Sequence, residues 1–165
     1  MDQLETKTPG VAMPERTPPT SSKLANGQPT AVATQPVASA LIHVKNLRLR
    51  TYIGFNPEEK AKQQDVTINV EIRYWLAAGV FHDQVADALD YKLITKQVID
   101  LVEDGRFLLL EKLVADVLAI CSAPPQVSHA KVCIDKPHAL RFADSVSLTL
   151  EYHAGDDDSV REKIQ

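Results

Sequence analysis

Hydrophobic and polar residues alternate most regularly between Gln64 and Tyr74. A period of two places every second side chain on the same face of a strand, so this stretch predicts an antiparallel strand buried on one side only. The face predicted to be buried carries Val66, Ile68, Val70, Ile72 and Tyr74, and the polar face carries Thr67, Asn69, Glu71 and Arg73.

A second strand is predicted over 41–53, with an irregularity in its alternation. Ile42 and Val44 share one parity, whereas Leu47 and Leu49 share the other. One extra residue near Asn46 would return the apolar side chains to a single face, so we expect a β-bulge there.

Two stretches have the spacing of amphipathic helices, over 91–103 and 109–122. The first is followed by Gly105, which is typical of a helix end, and the second is stopped by Pro124-Pro125. The apolar stripes are Ile94, Val98, Leu101 and Val102 in the first helix, and Leu110, Leu113, Val114, Val117, Leu118 and Cys121 in the second.

Two further strands, 127–136 and 145–152, complete the order ββααββ. We therefore predict an α+β fold in which a four-stranded antiparallel sheet is covered by two helices on one face. The connections 54–62 and 77–90 are predicted to be a charged loop and a polar segment with a helical turn. Four strands leave two open edges, and pairing between subunits is the simplest way to cover them, so we expect a homo-oligomer.

The two ends of the chain differ from this folded segment. Residues 1–39 contain six of the ten prolines and no aromatic residue, so we predict a disordered extension. The domain is predicted over 40–153, and residues 154–165 form a polar tail.

Composition narrows the class of protein. The chain has 165 residues and a net charge of −4, which fits one domain and disfavours a nucleic-acid partner, since such proteins usually carry a basic face. No segment has the length of a membrane span, and no signal sequence is recognised, so we expect a cytoplasmic protein without a membrane partner. Cys121 and Cys133 form no CxxC motif and are predicted to be reduced and buried.

The loop between the last two strands carries three candidate chemical groups: Lys136, His138 and Arg141. Pro137 lacks an N–H group, so the strand should end at Lys136. The ammonium of Lys136 should then lie at the strand tip. A lysine in that position can serve as a general acid or base. The alternative is a hairpin tip with ordinary surface charge.

Other candidates lie on the predicted helices and loops. Glu111 falls in the first turn of the second helix, where it could bind a planar pair of N–H donors or merely offset the helix dipole. Tyr91 opens the first helix, and its hydroxyl could contact a ligand or its ring could only pack. Glu59 and Gln64 flank the charged loop, for which solvation is the alternative.

The histidines give no sign of a metal site. His43, His82, His129, His138 and His153 are scattered and form no HxH or HExxH motif, so we expect no bound metal.

Taken in order, these segments resemble the dihydroneopterin aldolase family. The resemblance is carried by VKNLRLRTYIG at 44–54, by Glu59 and Gln64, by LLEKL at 109–113 and by Lys136-Pro137. It covers about 40–153 and implies the tunnelling fold, in which strands of neighbouring subunits join into a barrel. Two tetrameric rings then stack into an octamer, with the sites between subunits.

The resemblance also implies roles for individual residues. Glu111, assisted by the backbone near Leu110, would bind the amino-pyrimidine edge of a pterin, and Glu59, Gln64 and Leu89 would line the same pocket. Lys136 would be the general acid/base, and Tyr91 would come from the neighbouring subunit. No cofactor is implied, because the imine of a 7,8-dihydropterin is itself an electron sink.

The family chemistry breaks the C1′–C2′ bond of the substrate side chain by a retro-aldol step. Release of the aldehyde makes an aldolase, whereas its re-addition from the other face inverts C2′. The stretches LRLRTYIG, RFLLLEKL and DKPHALRFADSVSLTL favour the branch that inverts C2′ of 7,8-dihydroneopterin triphosphate. Arg141 and His138, with Arg50 or Lys60, would then hold the triphosphate, and aldolase activity is the alternative.

Overall fold

The computed structural model describes residues 38–155. Its elements are β1 (Ser39–Ile53), α1 (Pro57–Ala61), β2 (Gln64–Trp75), α2 (Tyr91–Asp104), β3 (Arg106–Phe107), α3 (Leu110–Ser122), β4 (Val127–Pro137) and β5 (Ser145–His153). The polar connection after β2 contains two short 3-10 turns, Ala78–His82 and Val85–Asp87, so the expected helical turn is confirmed. The disorder predicted for 1–39 and most of the predicted tail lie outside the described residues.

The sheet has five strands in the order β3-β1-β2-β4-β5, one more than the sequence predicted. The four long strands are antiparallel, as expected. The additional strand, β3, runs parallel to the end of β1 and pairs Arg106 and Phe107 with Tyr52 and Ile53. A two-residue strand is too short to show any periodicity, which is why the sequence pattern missed it.

The predicted β-bulge is present in β1. Its pairing with β2 shifts register between Val44 and Leu47, and Asn46 has a positive φ of 54°. Asparagine tolerates this left-handed conformation better than most residues. The backbone N–H of Asn46 donates to Oδ1 of Asn69 on β2 at 2.9 Å, which ties the bulge to its neighbouring strand.

The core lies between one face of the sheet and the two long helices. On the apolar face of β2, Val66, Ile68, Val70 and Ile72 are buried as predicted, whereas Tyr74 is only partly buried. This face packs in one cluster with side chains of α2 and α3. Burying each such side chain contributes about 1.5–3 kcal/mol. The buried helix residues are Ile94, Val98, Val102, Leu113, Val114, Val117 and Cys121.

Three smaller predictions were wrong. The charged loop contains a short helix, α1, which begins at Pro57 after the N-cap Asn56 and is too short for a hydrophobic stripe. β4 continues one residue beyond Lys136, because Pro137 still pairs with Ser145. Cys133 is partly exposed rather than buried, since it points away from the helices on the polar face of the sheet.

None of the helices between residues 38 and 155 is both long enough and apolar enough to span a membrane.

Candidate active site

The side chain of Lys136 lies at the end of β4 and is only 12% exposed. Its ammonium donates to Oε1 of Glu59 at 2.6 Å and to the carbonyl oxygen of Ile53 at 3.1 Å. An ammonium has three N–H donors, and two of them have partners among residues 38–155. The third is available to a ligand or a water molecule, as a proton-transfer role requires.

Glu59 reaches Lys136 from α1, and its side chain is 23% exposed. The hydrogen bond from Lys136 holds the pKa of Glu59 below its ordinary value of 4.5, although partial burial acts in the opposite direction. The other carboxylate oxygen accepts from the backbone N–H of Asn56 at 3.1 Å, which fixes the start of α1. The carboxylate is therefore ionised and held in place near neutral pH.

The turn at the end of β1 closes around this ion pair. The amide of Gln64 donates to the Ile53 carbonyl oxygen that Lys136 also contacts. Gly54 has a φ of 128°, and a Cβ atom at this position would overlap the Glu59 carboxylate. Its N–H donates to Phe107 at 2.9 Å, so β3 holds the turn in position. Glycine is thus needed both for the backbone conformation and for the approach of Glu59.

The ion pair faces a cleft of about 320 Å³ between the β1 turn, the start of α3 and the β4–β5 hairpin. This volume is at the lower end of the usual range for small-molecule sites. Four of the predicted site residues lie together here. They are Glu59, Leu110, Glu111 and Lys136.

Glu111 lies at the rim of the cleft in the first turn of α3, and it is exposed. The residue preceding α3, Leu109, provides no side-chain cap for the first backbone N–H groups of the helix. Those donors have no partner within the helix, so they are available to an acceptor on a ligand beside the carboxylate. The rim therefore offers acceptors and donors side by side.

Three residues predicted to line the pterin pocket do not line this cleft: Gln64, Leu89 and Tyr91. Gln64 instead donates to the Ile53 carbonyl oxygen. Leu89 is buried in the core, with 4% exposure. Tyr91 is half-exposed at the start of α2, where it borders a separate groove with Ile42, Val44 and Thr95. One chain thus brings together the predicted lysine and glutamates but does not bring Tyr91 or Leu89 to them.

The cations predicted to hold a triphosphate do not line the Lys136 cleft. His138 lines a second cleft, of about 410 Å³, together with Arg48 and Arg50. Lys60 lines a third, of about 260 Å³, beside Arg106. The guanidinium of Arg141 lies 5.4 Å from the centre of the Phe142 ring and is exposed.

Sequence reasoning assigned no role to several groups that build the site. The Ile53 carbonyl oxygen carries no sequence signal. Gly54 was noted only as part of a motif, although a glycine directly after a strand and five residues before a glutamate could have indicated the close contact. Arg106 lines the neighbouring cleft with Lys60, and its guanidinium lies 3.9 Å from the centre of the Tyr52 ring. It belongs to β3, which the sequence pattern does not predict.

A sheet with helices on one face and a cleft built around a Lys–Glu pair define a small α+β protein suited to binding and protonating a small molecule. Residues 42–151 match the family model described as dihydroneopterin aldolase. The chain belongs to the dihydroneopterin aldolase family and has its tunnelling fold.

Among its relatives are two proteins named dihydroneopterin triphosphate 2′-epimerase. That of Escherichia coli (strain K12) is 50% identical over 114 residues, which make up 69% of this chain and 95% of that protein. That of Pseudomonas aeruginosa is 49% identical over 114 residues, 69% of this chain and 93% of that protein. The dihydroneopterin aldolase of Escherichia coli (strain K12) is more distant, at 26% over 111 residues, 67% of this chain and 91% of that protein.

A solved structure extends the comparison to three dimensions. The crystal structure of Escherichia coli dihydroneopterin aldolase in complex with neopterin matches with a TM-score of 0.64 and 26% identity, covering 68% of this chain and 98% of that one.

Proposed function

We propose that this protein is an isomerase that inverts C2′ of 7,8-dihydroneopterin triphosphate and forms 7,8-dihydromonapterin triphosphate. The proposal rests on the Lys136–Glu59 pair in a cleft whose rim carries Glu111. It is supported by about 50% identity to the epimerases over nearly their whole length, against 26% to the aldolase.

The pterin would bind at the rim of the cleft. Its amino-pyrimidine edge presents two neighbouring N–H donors, which the carboxylate of Glu111 can accept together. Backbone N–H groups at the start of α3, near Leu110, are placed to donate to the adjacent acceptors of the ring. This orientation directs the side chain of the pterin into the cleft, toward Lys136.

Lys136 would then act as the general acid and base of the retro-aldol step. The Lys136 ammonium would donate a proton to N5, and the amine left behind would take the proton of the C2′ hydroxyl through water. The C1′–C2′ bond breaks, its electron pair forms the C1′=C6 bond, and the π pair of the N5=C6 imine moves to N5, where it binds the donated proton. The products at this stage are an aldehyde, which retains the C2′ hydrogen and the triphosphate, and an enamine. Re-addition of the enamine to the opposite face of the aldehyde restores the bond with C2′ inverted. Glu59 would hold Nζ of Lys136 in place and favour its return to the ammonium form after each proton transfer.

Inversion requires that the aldehyde remain in the site between the two steps. A fragment held near its partner reacts at a very high effective concentration, so recombination outruns escape. We propose that Arg141 and His138, which follow Lys136 in the same hairpin, bind the triphosphate. Both side chains are exposed and lie outside the Lys136 cleft, so the triphosphate would extend out of the cleft to contact them.

The complete site is proposed to need a second chain. Tyr91 does not reach the Lys136 cleft of its own chain, so a neighbouring subunit would supply it. Leu89 is buried in its own core, so we assign it only the support of Tyr91, whose backbone N–H donates to the Leu89 carbonyl oxygen at 2.9 Å. Within residues 38–155, β5 is a sheet edge and β3 pairs with two residues of β1, so both edges of this part of the sheet offer backbone groups to a partner. A homo-octamer of two stacked rings in the cytoplasm completes the proposal.

Product analysis tests this function. The protein is incubated with 7,8-dihydroneopterin triphosphate and, separately, with 7,8-dihydroneopterin, and the pterins are separated by chromatography. We expect the 2′ epimer of the triphosphate, with little 6-hydroxymethyl-7,8-dihydropterin. Abundant 6-hydroxymethyl-7,8-dihydropterin and glycolaldehyde from the unphosphorylated substrate would instead identify a dihydroneopterin aldolase.

A further inference from the structure

The polar face of the sheet brings together two histidines that are far apart in the sequence. His129 on β4 pairs directly with His153 on β5, and their ring centroids are 4.5 Å apart. Glu151 precedes His153 by two residues, so its side chain lies on the same face of β5. Strand pairing therefore builds a cluster of two imidazoles and one carboxylate that no local sequence motif reveals.

The distances within this cluster are close to those of a metal site. Oε2 of Glu151 lies 3.5 Å from Nε2 of His129 and 3.8 Å from Nε2 of His153. One ligand atom from each residue lies within 4.8 Å of the others. Bonds of about 2.0–2.1 Å to a tetrahedral ion place its ligand atoms about 3.3 Å apart, so small side-chain rotations would close the site.

Lys131 leaves part of this carboxylate free. Its ammonium lies 2.8 Å from Oε1 of Glu151, whereas Oε2 faces the two imidazoles. The side chains of His129, Glu151 and His153 are 20%, 41% and 54% exposed, so an ion can enter from solvent and keep water at its remaining position. The nearby ammonium opposes a cation and should limit its affinity.

We propose that His129, Glu151 and His153 bind a divalent transition-metal ion such as Zn²⁺. Two imidazoles suit zinc and its neighbours in the first transition row, whereas Mg²⁺ and Ca²⁺ prefer oxygen ligands alone. The ion would join β4 to the edge strand β5 from outside the catalytic cleft. For His129 and His153, this proposal replaces the expectation from the sequence that the histidines bind no metal.

Calorimetric titration of the full chain, freed of any affinity tag and of metal, with Zn²⁺ tests the proposal. We expect one Zn²⁺ per chain. Loss of a group that only supports a ligand costs about 10- to 100-fold in affinity, so loss of a ligand in His153→Ala or Glu151→Gln should weaken binding by at least about that much. Both side chains are largely exposed, so these variants should remain folded, which circular dichroism checks. Lys131→Met should tighten binding, because it removes the competing ammonium.

His43→Ala is the matched control, because His43 lies on the same face and pairs with a single carboxylate, Glu71, at 3.8 Å. It should bind Zn²⁺ like the unmodified chain. Co²⁺ added in place of Zn²⁺ should give the visible absorption of a tetrahedral site, and His153→Ala should lose it. Absence of Zn²⁺ binding, or equal binding by the unmodified chain, His153→Ala and Glu151→Gln, would overturn the proposal.

Discussion

The ion pair between Lys136 and Glu59 should couple the two residues strongly in the folded protein. Its N–O distance is 2.6 Å, and the two side chains are only 12% and 23% exposed. Exposed pairs usually contribute 0.2–1 kcal/mol, but solvent screens this one weakly. A hydrogen bond between charged groups contributes about 1.5–3 kcal/mol, which is the coupling free energy that we expect.

A double-mutant cycle measures this coupling. The free energies of unfolding of the unmodified chain, Lys136→Met, Glu59→Gln and the double variant are obtained from urea titrations at one protein concentration, followed by the fluorescence of Trp75. Each single variant leaves one partner without its charge complement, so the double variant should lose less stability than the two single variants together.

The pair Lys112–Asp116 provides a matched control on the surface of α3. It has the same N–O distance of 2.6 Å, but its side chains are 66% and 29% exposed. The cycle of Lys112→Met and Asp116→Asn should give about 0.3–0.5 kcal/mol, as for other i,i+4 pairs. A Lys136–Glu59 coupling no larger than this would refute the argument that burial strengthens the pair.

The remaining predictions concern pH, ligand binding and the turn. Because the folded state lowers the pKa of Glu59 below 4.5, the coupling should persist above that pH and vanish as the pH falls through the lowered pKa. A coupling that does not weaken at any pH below 4.5 would contradict this. Glu111→Gln should abolish pterin binding in a fluorescence titration while leaving the oligomer intact, and unchanged affinity would remove Glu111 from the site. Arg141→Ala should raise KM for the triphosphate far more than for 7,8-dihydroneopterin, and equal effects would exclude a contact with the phosphates. Gly54→Ala should lower the free energy of unfolding by about 1–3 kcal/mol through backbone strain, and further through the clash with Glu59. Gly155→Ala should cost less, because Gly155 has a positive φ but open space around it. Equal losses of stability in urea titrations would show that the clash is harmless.

The sequence was sufficient to predict the elements in which the apolar spacing of a helix or strand repeats over many residues. β2 and α3 each carry four or more apolar residues at fixed spacing, and burial of one face makes that spacing necessary. The bulge at Asn46 was also predictable. The apolar residues of β1 change from even to odd positions there, and one extra residue keeps them all on the buried face. β3 and α1 were not predicted, because two and five residues are too few to show a period.

The candidate site was predictable only in part. Lys136 and Glu111 were indicated by their positions at a strand tip and a helix start, and the family resemblance gave them roles. The direct contact of Lys136 with Glu59, 77 residues away, depends on how α1 lies against β4, which no local pattern specifies. The same reason applies to His129 and His153, which become neighbours only through the register of β4 and β5.

The central claim is that the C1′–C2′ bond is broken and remade without release of the aldehyde. Turnover of 7,8-dihydroneopterin triphosphate in D₂O, with the products examined by NMR at C1′ and C2′, tests it most directly. The account predicts the 2′ epimer with its original hydrogen at C2′ and no deuterium at either carbon, because neither C–H bond is broken. Deuterium at C2′ would contradict the retro-aldol step. If the main product is 6-hydroxymethyl-7,8-dihydropterin with deuterium at C1′, the aldehyde escapes and the protein is an aldolase.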